Sequence, residues 1–119
     1  MDNNSSELMR QIAAILKDKL AFNVEVINIG EVSIIADYFV IASGRTDAHV
    51  RALYEYVDEG IKEKMGIDPL HTEGTENAKW IVMDYGSVIV HLFHNNEREF
   101  YSLEKLWAEA PRTELTESD

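Results

Sequence analysis

From Leu8 to Leu20 the apolar residues Leu8, Ile12, Ile15, Leu16 and Leu20 return every three or four positions. That period stacks them on one face of a helix, with Ser5 or Ser6 as its cap. Residues 23–29 alternate instead, with Val24, Val26 and Asn28 on one side, which predicts a strand; Gly30 then marks a turn. Residues 37–42 form a nearly unbroken apolar run closed by Ser43 and Gly44, the pattern of a strand covered on both faces. A second helical stripe follows: Val50, Leu53, Tyr54, Val57, Ile61 and Met65, with Thr46 placed to cap its start and Gly66 its end. Pro69, Leu70 and His71 suggest a short extended piece, and residues 73–77 a loop. Two strands, 80–84 and 87–93, joined through Tyr85 and Gly86, predict a hairpin. A short helix over 102–109 carries Leu103, Leu106 and Trp107 before Pro111 ends it.

This order predicts an α/β fold: a mixed sheet with flanking helices, the helix between Ala42 and Pro69 serving as a right-handed crossover. With 119 residues, the chain is expected to form one domain over 1–109. Residues 110–119, acidic and poor in apolar side chains, are expected to be a tail without structure.

Charge narrows the choice of partner. Twenty-two acidic against 11 basic residues leave a net charge of -11, which repels phosphate backbones and favours an encounter with a basic protein surface. The same charge also serves solubility. Without cysteine, disulfides, thiolate metal sites and cysteine nucleophiles are excluded. No apolar run approaches the roughly 20 residues that span a bilayer, and the polar start lacks the pattern of a secretion signal. A cytoplasmic protein is the expectation.

Candidate chemistry is sparse. His91 and His94, three apart in a strand, point to opposite faces and cannot chelate one ion unless the strand ends between them, while His49 and His71 lie elsewhere. Ser43 sits at a strand-to-helix turn but lacks the leading glycine of a nucleophile elbow. The Ser43-Gly44 turn is similar to the glycine-serine turn of nucleotidyltransferases. This leaves an alternative in which that turn, with Asp37 or Asp84, handles a nucleotide. Against it, no Asp-x-Asp pair follows to hold divalent metal. Neither a catalytic set nor a metal or cofactor site is expected.

The hairpin stands out. Alternation sets Trp80, Val82 and Asp84 on one face and Ile81, Met83 and Tyr85 on the other. A carboxylate beside a tryptophan suits an interface, where an aromatic anchors and a charge selects the partner; the plainer alternative is that Asp84 only ends its strand.

Four motifs, in order, resemble the ribosomal silencing factor (Iojap) family: Ala36-Asp37-Tyr38-Phe39-Val40-Ile41-Ala42-Ser43-Gly44, Glu73-Gly74, the hairpin from Trp80 to Phe93, and Phe100-Tyr101-x-Leu103-Glu104-x-Leu106-Trp107. The resemblance implies a nucleotidyltransferase-like fold without the catalytic residues. It implies a translational repressor that binds the large ribosomal subunit through ribosomal protein number fourteen and sterically blocks subunit joining. The family's tryptophan and acidic residue fall on Trp80 and Asp84. Trp80, Met83, Asp84 and Tyr85 are accordingly the expected partner-binding residues, provided a bulge or an edge approach lets all four reach one partner. Tyr101 and Trp107 are expected to pack. Direct nucleic-acid recognition is not expected, and a homodimer of the free protein is compatible with this role.

Overall fold

A computed structural model describes residues 3–95 and 111–113. Helix α1 spans Asn3–Asp18 and strand β1 Phe22–Ile27. After a 3-10 turn come β2 (Tyr38–Gly44), α2 (Asp47–Met65), β3 (His71–Glu73), β4 (Trp80–Asp84), β5 (Val88–His94) and β6 (Arg112–Thr113). The six strands form one sheet in the order β3-β4-β5-β2-β1-β6. Only β2 and β5, joined through α2 and the β3–β4 pair, run parallel; every other pairing is antiparallel, so the sheet is mixed.

The predicted stripes explain how the layers meet. Leu8, Ile12, Ile15 and Leu16 of α1, and Val50, Leu53, Val57 and Ile61 of α2, are buried against Val26, Val40, Ala42, Ile81, Met83, Val88, Val90 and Leu92 of the sheet. The far face carries Ile27, Phe39, Ile41 and Phe93, also buried. β2 is therefore covered on both faces, as its unbroken apolar run predicts. The caps of α2 follow expectation too. Thr46 accepts the His49 backbone N–H at 3.0 Å, and Gly66 takes the left-handed conformation at φ 68°.

Several boundaries differ from the sequence reading. Helix α1 begins by Asn3, leaving Ser5 buried inside it. Leu20 lies beyond the end of α1 and is exposed, because the chain must turn there to enter β1. Ile29 belongs to a 3-10 turn rather than a strand. Residues 112–113, expected in a structureless tail, pair with Ile27 and Val26, and the Pro111 carbonyl accepts the Asn28 N–H at 2.8 Å. Pairing with an edge strand needs only backbone groups, so composition does not reveal it. The predicted helix over 102–109, with Tyr101 and Trp107, lies outside the described residues. Among the described residues, no helix is long and apolar enough to cross a membrane.

Candidate functional site

Strand β4 pairs with β5 in unbroken register, Trp80 opposite Phe93 through Asp84 opposite Ile89. Alternation then separates the four residues expected to share a partner. Trp80 and Asp84 are half-buried on the far face, away from α1 and α2. Met83 is fully buried and Tyr85 is 7% exposed, both in the core beneath the helices. No bulge interrupts β4 to bring them round. Met83 and Tyr85 pack in the core of the free chain, on the face opposite Trp80 and Asp84, as the pleat dictates. Burial, with Asp58 and Asp68 nearby, raises the Tyr85 phenol above its ordinary pKa.

Trp80 sits on a built aromatic platform. Its ring stacks on Phe93 at 5.0 Å between centroids, and its indole N–H donates to His91 Nδ1 at 3.2 Å. His91 lies edge-on to Phe39 at 4.7 Å. Because the indole can only donate, Nδ1 must accept and the His91 proton resides on Nε2. Burial pushes the His91 pKa down to about 4, keeping the ring neutral near pH 7. His91 therefore orients Trp80. His94, on the opposite face, lies 4.0 Å from Asp47 of α2.

The chain entering Trp80 is equally constrained. Arg51 of α2 donates to the carbonyls of Thr75 and Glu76 at 3.3 and 2.8 Å. Gly74, at φ 86°, lies so close to the strand that a Cβ there would collide with the Trp80 carbonyl oxygen. The Glu73-Gly74 motif is thus a backbone requirement of the site.

The two oxygens of Asp84 differ in their surroundings. One oxygen accepts the Gly86 N–H at 2.7 Å and shapes the turn into β5; the other has no partner among the described residues. The Asp84-x-Gly86 spacing of such a turn is visible in sequence, though it says nothing about the free oxygen. The sheet adds residues that sequence reasoning missed. His71 lies opposite Asp84 and Glu73 opposite Val82, so both share the far face with Trp80. They pair with each other at 2.6 Å and are exposed.

The topology sets the residues of the nucleotide-handling alternative apart. Ser43 and Gly44 end β2, whereas Asp37 precedes its start and Asp84 ends the antiparallel β4. Six residues of strand set Asp37 roughly 20 Å from Ser43. Ser43 is fully buried, and a Cβ at Gly44 would meet the Val50 nitrogen at 3.0 Å, so the turn packs closely against the start of α2. Among the described residues no three His, Asp or Glu side chains converge as metal ligands.

A patch of tryptophan, valine and carboxylates on a hydrogen-bonded sheet is suited to holding a macromolecule. Residues 2–119 match the family model described as "Ribosomal silencing factor during starvation". The chain belongs to the ribosomal silencing factor family. It is 38% identical over 112 residues to the ribosomal silencing factor RsfS of Halalkalibacterium halodurans, covering 94% of this chain and 95% of that one. It is 35% identical over 98 residues to the mouse "Mitochondrial assembly of ribosomal large subunit protein 1", covering 81% of this chain and 43% of that one. A crystal structure from Bacillus halodurans superposes with a TM-score of 0.81 at 36% identity, covering 92% of this chain and 99% of that one. These family descriptions are of regulatory and assembly factors, in keeping with a site built to bind.

Proposed function

We propose that this chain acts in the cytoplasm as a translational repressor. It binds the large ribosomal subunit through ribosomal protein number fourteen and covers the face that meets the small subunit, so the two cannot join. The observation that carries this reading is the family match across residues 2–119. Two physical features support it. The net charge of -11 steers the protein toward basic protein surfaces and away from exposed ribosomal RNA. Trp80 and Asp84 share one face of β4, where the indole supplies apolar area and the free carboxylate oxygen a partner for a basic side chain. A dimer of the free protein is compatible with this role if the ribosome-bound form is the monomer.

The test is a reconstituted subunit-joining assay with purified subunits. The folded protein is expected to co-sediment with large subunits and to reduce joining. The double variant Trp80→Ala, Asp84→Ala is expected to lose both effects while its circular dichroism stays that of the parent. Normal joining at saturating wild-type protein would refute the function. Undiminished binding by the double variant would refute only the site.

A further inference from the structure

Four of the six exposed large apolar side chains among the described residues belong to one end of the sheet: Val32, Ile34, Ile35 and Leu70. The topology gathers them. β1 and β4 end there, and β2, β3 and β5 begin there. The segments 28–37, 66–70 and 85–87 therefore share that end. The other two, Leu20 and Tyr56, lie elsewhere, and Lys19 covers Tyr56 at 4.4 Å. Ile34 is fully exposed at 104%, and Leu70 is 77% exposed. With three strand spacings between β3 and β2, this apolar end is roughly 15 Å across. Large apolar side chains exposed together at one end of a fold mark sites of contact.

The loop that presents Ile34 and Ile35 is held in place at both ends. Ile29 and Ala36 are buried under it. Within it, Ile29 O accepts from the N–H groups of Val32 and Ser33 at 3.0 and 2.9 Å, and Gly30 N–H donates to Asp37 O at 3.0 Å. Ser33 Oγ accepts from Ile35 N–H at 3.2 Å, and Asp37 N–H donates to Ser87 O at 2.8 Å. A loop ordered this way loses little freedom on binding. Carboxylates border the apolar centre: Glu31 and Asp37 on the loop, Asp84 at the end of β4, and Asp68, which pairs with Lys62 at 3.7 Å. Asp84 also joins this end to the Trp80 face, since its carbonyl accepts the Leu70 N–H at 2.7 Å.

We propose that this end of the sheet, centred on Ile34, Ile35 and Leu70, is a second half of the docking surface and seats an apolar patch rimmed by lysine or arginine on a basic protein of the large subunit. The inference rests on the ribosome-binding reading above and extends its contact from Asp84 round the end of the sheet. The acidic border selects a basic partner, and the ordered isoleucines supply the area that the half-buried Trp80 alone does not.

The test measures binding to purified large subunits at two salt concentrations, and self-association by sedimentation, for four proteins. These are wild type, Ile34→Ser with Ile35→Ser, Trp80→Ala with Asp84→Ala, and Leu20→Ser as an exposed apolar control. The Ile34/Ile35 variant is expected to bind about tenfold more weakly or worse, with an unchanged unfolding midpoint because both side chains face solvent. The control is expected to bind as wild type. Wild-type affinity in the Ile34/Ile35 variant, with the Trp80/Asp84 variant impaired, would overturn this inference and leave the ribosome-binding reading standing. Loss of self-association alone, with ribosome binding intact, would overturn it in favour of a contact between copies. Failure of the wild type to bind large subunits would overturn both.

Discussion

Replacing Gly74 by alanine tests how the site is held. Of the three described glycines with positive φ, two differ sharply in surroundings: Gly66 at 68°, with nothing within 4 Å of where a methyl group would stand, and Gly74 at 86° against the Trp80 carbonyl. Gly66→Ala therefore isolates the cost of the left-handed backbone, about 1 kcal/mol. Gly74→Ala carries that cost and a collision with a backbone oxygen, which no side-chain rotation relieves. Clearing it requires a shift of roughly 1.5 Å between the end of β3 and the start of β4 to restore ordinary contact. Ile81, next to Trp80, is fully buried and paired with Leu92, so the strand cannot move without disturbing the core. The expected total is about 3 kcal/mol or more. Urea denaturation followed by circular dichroism measures both variants, and tryptophan fluorescence in a Trp107→Phe background reports Trp80. Equal losses from the two substitutions would refute the reasoning, because the close approach would then cost nothing.

His91→Phe keeps an aromatic ring against Phe39 and Phe93 but removes the acceptor for the Trp80 indole; a shifted Trp80 indole N–H resonance and weaker ribosome binding are expected, and an unmoved resonance would show that His91 does not orient Trp80. The same variant tests a pH dependence. The unfolded His91 takes up a proton near its ordinary pKa while the folded one holds out to about 4, so its contribution favours the fold above the ordinary range and is lost as pH falls toward 4. The size is about 3 kcal/mol, and subtracting the His91→Phe stability curve from that of the wild type should reveal it; parallel curves would refute it. Asp84→Asn retains an oxygen for the Gly86 N–H and removes the charge, so an unchanged midpoint with weakened, less salt-sensitive binding is expected; a fall in stability with normal binding would make Asp84 a turn residue alone.

Much of the layer structure was legible because burial imprints its own period. The stripes of α1 and α2 and the alternation of β4 each follow from one face meeting the core, as Ile12, Val57 and Ile81 illustrate by being fully buried. Thr46 and Gly66 were legible because caps demand particular side chains. The candidate site was legible only by halves. Alternation correctly set Trp80 with Asp84, and Met83 with Tyr85, but a pattern in one strand does not tell which face a helix will cover. The family resemblance favoured all four; packing buries Met83 and Tyr85 under the helices and leaves Trp80 and Asp84 half-buried on the far face.

The sequence by itself determined that this is an acidic α/β chain of the silencing-factor family with no thiol chemistry, because charge, cysteine content and local periodicity are properties of the chain at any conformation. Only the tertiary structure decided that Trp80 leans on His91 and Phe93, that Glu73 and His71 join its face, and that Val32, Ile34, Ile35 and Leu70 gather beside Asp84. Those relations depend on strand order and register, which bring together residues tens of positions apart. Hydrogen-bonded pairing across the whole sheet sets them, and no local pattern encodes it.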